Sequence, residues 1–252
     1  MKISQHCYAI TGLSFLPPWT VNAGFIAGET VTLIVDTGAN MQSARTVYGY
    51  AASPRPKNRL LVINTERHLD HIGGNSLFRD LDIDIYGHAE ILRTDAELVG
   101  AIAELNQCIP NEVRRQRGEA RVFYASTRIV NPNRPVSNEI SLDLGSFSVV
   151  VLLTPGHTTT NISIFVPTDD VLFCGDCLLN AYLPNLEEGN PVIWQSWLAS
   201  LDRIEKLAPA IVVPGHGEIL RGPEITAEIQ RTRQILATAL ETGQAPTLRS
   251  HI

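Results

Sequence analysis

Four side chains in the stretch Asn64-Thr65-Glu66-Arg67-His68-Leu69-Asp70-His71-Ile72-Gly73-Gly74-Asn75 are of types that hold metal ions. Glu66, His68, Asp70 and His71 supply two carboxylates and two imidazoles, the common oxygen and nitrogen ligands of divalent cations. If the backbone stays extended, alternation puts Glu66, His68 and Asp70 on one side, and His71 points away unless the chain turns. One ion could then take positions 66 and 68 while a second takes 70 and 71. Gly73 and Gly74 allow a tight turn into a following helix. Much later come His157 in Thr154-Pro155-Gly156-His157-Thr158, Asp176 in Phe173-Cys174-Gly175-Asp176 and His216 in Pro214-Gly215-His216-Gly217. Each follows an apolar run, and the glycine before it presents the side chain without crowding. A single loop histidine is ordinarily structural. Seven ligand-type residues at the ends of apolar runs point instead to a shared metal site that activates water.

Positioning such residues requires strands that end near one another. Residues 22–27 and 30–35 read as a hairpin around Gly28-Glu29, and Asp36-Thr37-Gly38 ends its second strand. A helix over 41–52 stops before Pro54. Residues 60–63 form a short apolar run of the kind buried on both faces, and the ligand-rich loop follows it directly. Further strands are expected at 83–86, 147–153, 162–166, 171–174 and 211–213. Helices are expected at 194–207, from its helical apolar spacing, and at 223–243, from Pro223 in its first turn. Two halves of similar order, with no break in composition, suggest one layered α/β domain over 1–252. Residues 107–140 are the least readable; Arg114, Arg115 and Arg117 there read as a solvated face or the border of a substrate entrance.

Composition narrows the function classes. The 252 residues are 44% hydrophobic and 18% charged, which excludes a disordered chain and allows a large core. Twenty Lys and Arg against 26 Asp and Glu give −6, a poor match to a phosphate backbone, so nucleic acid is not an expected partner. No apolar run approaches the roughly 20 residues that span a bilayer, and the N-terminus lacks the apolar run of a secretory signal. A cytoplasmic protein acting on a small molecule, with no membrane partner, is the expectation. Cys7, Cys108, Cys174 and Cys177 are expected as reduced thiols. The Cys174/Cys177 spacing reads as packing around Asp176, because redox motifs usually open a helix and Cys174 ends a strand-like run.

Taken together, Glu66, His68, Asp70 and His71 with the later His157, Asp176 and His216 resemble the metallo-β-lactamase superfamily. Its signature reads HxHxDH, then a distant His, a bridging Asp and a final His. The resemblance runs from the first hairpin to the last helix and implies an α/β fold, a four-layer αββα sandwich with a dinuclear site along one edge. By matching position, it implies Glu66, His68 and His157 at site one, Asp70, His71 and His216 at site two, and Asp176 as the bridge. Glu66 is a departure, standing where most members have the first His. Two divalent ions, three carboxylates and a bridging hydroxide sum to zero, whereas a His in the first position would leave +1. A neutral cluster acidifies its water less strongly. The added oxygen also moves preference toward Mn or Fe, with Zn still ahead because of the imidazoles. The implied activity is hydrolysis of a small ester, thioester, lactone or amide by a metal-bridging hydroxide, with Asp70 as the catalytic residue that orients the hydroxide and carries its proton. The alternatives are an iron-containing redox member of flavodiiron type and a non-catalytic metal-binding sensor. Trp19, in the loop before the first hairpin, and Tyr182 are expected to line the substrate pocket. Ser76 and Ser163 read as a cap and a strand hydroxyl, Trp194 as core, and His88 as a candidate support for the ligands.

Overall fold

Among the described residues, twelve short strands pair into two six-stranded sheets whose neighbours follow chain order. The computed structural model describes residues 1–14, 20–108 (backbone alone at 104–108), 122–180, 182–186 and 189–245. Sheet one holds β1 (Cys7–Ser14), β2 (Thr20–Ala27), β3 (Val31–Val35), β4 (Arg59–Ile63), β5 (Ile85–His88) and β6 (Arg134–Val136). Sheet two holds β7 (Ile140–Asp143), β8 (Ser148–Leu153), β9 (Ile162–Val166), β10 (Val171–Leu179), β11 (Ile211–His216) and β12 (Leu220–Arg221). The described helices are α1 (Met41–Ala52), α2 (Leu69–Ile72), α3 (Asn75–Asp80), α4 (Asp95–Cys108), α5 (Pro191–Leu207) and α6 (Pro223–Thr242). None of them is long and apolar enough to cross a membrane.

The apolar runs decide the layering. Leu33, Leu61, Ile63, Val151, Ile164 and Phe173 fill the space between the sheets. On the outer face of sheet one, Ile34 and Val62 pack against Ala44 and Val47 of α1 and Phe78 of α3. On the outer face of sheet two, Leu172 and Val212 meet Trp197 and Leu201 of α5 and Leu236 of α6. The central strands are therefore buried on both faces, which is why residues 60–63 of β4 and 171–174 of β10 read as unbroken apolar runs. The architecture is the αββα sandwich. Helix boundaries follow local chemistry: Asn40 caps α1 by accepting from the Ser43 N–H at 2.8 Å, and Asn190 caps α5 ahead of Pro191.

The structure adds to the sequence reading at β1, β10 and the two glycines. Strand β1 pairs antiparallel with β2, yet its irregular register between Ile10 and Leu13 breaks the alternation that would have marked it in sequence. Strand β10 does not stop at Cys174 but runs to Leu179, so Asp176 lies inside a strand. Its pairing with β11 shifts on both sides of Gly175, whose φ of 51° kinks the strand. Gly73 and Gly74 form the expected turn into α3, but with the right-handed backbone angles of a type I turn, so freedom of φ is not why they are glycines. They are needed for close approach: a Cβ on Gly73 would collide with the Ala39 carbonyl oxygen, and one on Gly74 with that of Thr37. Within the poorly readable stretch, residues 122–130 lead into β6, and Tyr124 packs with Leu69 between motif positions 68 and 70. Arg114, Arg115 and Arg117 lie outside the described residues.

Candidate metal centre

The site forms at one edge of the sandwich. Parallel strands β3 and β4 end there in sheet one, and parallel β10 and β11 end there in sheet two. After β4 the chain bends through residues 65–68, with His68 itself at φ −66° and ψ 152°. It then closes the single turn of α2, so Glu66, His68 and Asp70 do not simply alternate. The turn swings His71 inward beside Asp70, and the Thr37 N–H and Asn64 Nδ2 hold the His71 carbonyl at 3.0 and 3.1 Å. The loop after β8 brings His157, β10 brings Asp176 and the last residue of β11 is His216. A hydrogen bond from the Ile162 N–H to the Thr65 carbonyl (2.7 Å) ties the two sheets together at this edge.

All seven side chains converge. Glu66 Oε1 lies 2.8 Å from His68 Nδ1, 3.3 Å from His71 Nε2 and 3.8 Å from His157 Nε2. His157 Nε2 is 3.2 Å from His68 Nδ1 and 3.5 Å from Asp176 Oδ2. His71 Nε2 is 3.3 Å from Asp176 Oδ1 and 3.7 Å from Asp70 Oδ2. His216 Nε2 is 3.1 Å from Asp70 Oδ2 and 3.4 Å from Asp176 Oδ2. Residues 66, 68 and 157 form one compact group of ligand atoms, and 70, 71 and 216 form another.

Residues outside the motif aim these rings. Asp36, at the end of β3, accepts from His71 Nδ1 at 2.9 Å, leaving Nε2 directed into the cluster. The Thr65 N–H and Oγ1 fix that carboxylate, each at 2.7 Å. Asp36 holds φ at 60°, unusual for a residue with a side chain. His216 Nδ1 donates to the Thr20 carbonyl at 2.6 Å. Asn22 Nδ2 grips the Pro214 and Gly217 carbonyls, each at 2.9 Å, on either side of His216.

Residues 16–216 match the metallo-beta-lactamase superfamily. The chain belongs to this superfamily. Among superfamily relatives, it is 24% identical over 230 residues to a linear primary-alkylsulfatase from a Pseudomonas species, covering 81% of this chain and 43% of that protein. It is 41% identical over 75 residues to a hydroxyacylglutathione hydrolase from Hahella chejuensis, covering 29% of this chain and 28% of that one. The chain thus spans less than half the length of either relative. A metallo-beta-lactamase family protein from Thermus thermophilus superposes with a TM-score of 0.70 at 21% identity, over 94% of this chain and 81% of that one. That likeness is one of fold.

Members of the metallo-beta-lactamase superfamily bind divalent metals, typically zinc, and the residues at this edge fit such ions. In a tetrahedral site with bonds of roughly 2.0–2.1 Å, neighbouring ligand atoms sit about 3.3 Å apart. The separations above, 2.8 to 3.8 Å, bracket that value. Glu66 Oε2, His71 Nε2 and Asp176 Oδ1 are buried without a hydrogen-bond partner, as atoms reserved for a cation would be. The charges agree. Burial pushes the Asp70, Asp176 and Glu66 carboxyls up, but the surrounding imidazoles outweigh it and hold them below the ordinary range, Asp176 well below. Burial likewise depresses His71 and His216, yet Asp70 and Asp176 hold both well above the ordinary imidazole value. Both directions mark the cluster as a place where carboxylates favour positive charge, which is what a cation would supply.

The other sequence candidates have definite places. The Tyr182 ring stands against His216 with centroids 5.9 Å apart, and Arg231 Nη2 fixes the Tyr182 carbonyl at 2.6 Å. Trp19 lies outside the described residues. Trp194 is buried in the core under sheet two. His88 accepts from the nearby Glu90 N–H at 3.2 Å, a local turn contact. Ser163 pairs with the Thr154 hydroxyl at 2.7 Å, while the buried Ser76 hydroxyl has no hydrogen-bond partner. Cys174 and Cys177 are free and buried; desolvation pushes the Cys177 thiol up to about 12, which leaves it unreactive. Asp36 was missed as a supporting residue. The available signal was an acidic residue at the end of a strand neighbouring the ligand-bearing strand.

Proposed function

We propose that this chain is a metal-dependent hydrolase opening a small ester, thioester, lactone or amide at a pair of divalent cations. The observation that carries the reading is the meeting of seven ligand atoms from both sheets at spacings a metal site requires. Glu66, His68 and His157 would hold one cation and Asp70, His71 and His216 the other, with Asp176 between them. When bound, the cations supply Lewis acidity toward the scissile carbonyl and a water acidified enough to attack near neutral pH.

The remaining work falls to the chain. Asp70 sits in the first turn of α2, and its neighbours His71 and His216 hold its carboxyl ionised. It can therefore take the proton of the attacking water and pass it to the leaving group. Asp36 and the Thr20 carbonyl lock the His71 and His216 rings, so the ligand geometry need not reorganise during the reaction. Tyr182 provides a ring face and a phenol beside His216 for the part of the substrate away from the reacting carbon. The names of two relatives, an alkylsulfatase and a hydroxyacylglutathione hydrolase, support hydrolysis as the reaction class.

The test is a panel of esters, thioesters, lactones and β-lactams offered to protein reconstituted with Zn, Mn or Fe. Turnover of at least one class is expected, falling by about 10²-fold or more in Asp70→Asn with circular dichroism unchanged. Wild-type rates in that variant would remove Asp70 from the chemistry. Fully metal-loaded protein that turns over nothing on the panel would favour a binding role instead.

A further inference from the structure

We propose that Glu66 is a second bridge between the two cations, alongside Asp176; the inference rests on the two-cation reading above. Asp176 earns its bridging assignment because Oδ2 faces histidines of both sites, His157 Nε2 at 3.5 Å and His216 Nε2 at 3.4 Å. Glu66 meets the same criterion. Its Oε1 lies 2.8 Å from His68 Nδ1 and 3.8 Å from His157 Nε2 at site one, and 3.3 Å from His71 Nε2 at site two. Ligand atoms of Glu66 close into two compact triads, one with His68 and His157 and the other with His71 and Asp176. Its second oxygen, Oε2, is buried with no hydrogen-bond partner.

A carboxylate suits this position for a reason an imidazole does not share. Each carboxylate oxygen carries two lone pairs and the group has two oxygens, so it can face two cations at once. An imidazole directed into the site offers one nitrogen with one lone pair, enough for a single cation. The exchange of His for Glu at position 66 therefore changes how the site is connected, not only its charge. A fully buried carboxylate is costly unless positive charge surrounds it, and sharing it between two dications meets that need most completely. Both ions should then depend on Glu66, whereas a site-one ligand would affect one ion only.

The test titrates chelator-treated wild type, Glu66→Gln and Glu66→His with Mn(II), reading stoichiometry by elemental analysis and coupling by electron paramagnetic resonance. Wild type should take up two ions per chain with an exchange-coupled spectrum. Both variants should lose at least about tenfold in each of the two binding steps, with weaker coupling. Circular dichroism of the chelated proteins checks the fold, and Glu66→Gln, which keeps the shape, stands in where Glu66→His packs poorly. If one binding step alone changes and coupling persists, the bridge is wrong while the two-cation reading stands. A wild type that binds fewer than two ions removes both.

Discussion

Asp36 shows how much of a site can depend on a residue that never touches the reacting centre. Its carboxylate accepts a hydrogen bond from His71 Nδ1 and is itself fixed by Thr65, so it sets which nitrogen of His71 faces the cluster. Burial raises the Asp36 carboxyl above its ordinary range, against the pull of His71 and Thr65. Asp36→Asn keeps the volume but weakens the acceptor, and its amide can equally present N–H groups to His71. Metal affinity should fall about 10- to 100-fold, measured by competition with a chromophoric chelator, with the melting curve of the chelated protein still cooperative. Unchanged affinity would mean that His71 needs no such partner. Glu66, His68, Asp70, His71, His157, Asp176 and His216 were readable because each has ligand chemistry of its own and sits after an apolar run. Asp36 and Thr20 were not. Asp36 acts through another residue's ring, marked only by an acidic side chain at a strand end, and Thr20 acts through a main-chain carbonyl, which leaves no mark in residue type.

At the scale of elements, the site exists because strands break their own regularity where they reach it. Alternation from position 66 would have sent His71 away; the single turn of α2 brings it in, and no periodicity announces a four-residue helix. Strand β10 kinks at Gly175 to aim Asp176, and the adjoining β11 must come close enough that a Cβ on Gly215 would strike Asp176 Oδ1. Two glycine substitutions separate fold from site. Gly215→Ala drives its methyl chiefly into Asp176 Oδ1, with the Gly175 carbonyl carbon a close contact at 3.0 Å, so metal uptake should drop about tenfold or more while the chelated protein melts closer to the wild-type temperature than Gly73→Ala does. Gly73→Ala drives its methyl into the Ala39 carbonyl, a backbone atom that cannot yield, and should cost about 1–3 kcal/mol in chemical denaturation. The reverse pattern, with Gly215→Ala unfolding and Gly73→Ala losing only metal, would contradict this division.

Across the whole molecule, the loop after β4 belongs to sheet one and His157, Asp176 and His216 belong to sheet two, so any cation in the cluster clamps one sheet to the other. Protons are its competitors. In chelated protein the raised pKa values of His71 and His216 stabilise the fold fully below about pH 6.5, and that contribution is lost as pH rises through the raised values. The lowered carboxyls of Asp70, Asp176 and Glu66 contribute above about pH 4, and their share is lost as pH falls through the lowered values. Chelated protein should therefore be most stable in the mildly acidic window between them and should weaken toward pH 8.5. A cation must displace the imidazole protons, so its stabilisation grows over the same interval in which theirs fades. Each displaced proton is worth about 1.4 kcal/mol per pH unit, or roughly 3–6 °C of Tm in a chain of this size. Differential scanning calorimetry of chelated and metal-loaded protein at pH 6 and 8 reads this directly, and the gap between the two Tm values should widen at pH 8. A gap that stays constant, or chelated protein that grows more stable from pH 6 to 8, would show that the imidazoles carry no protons for a cation to replace.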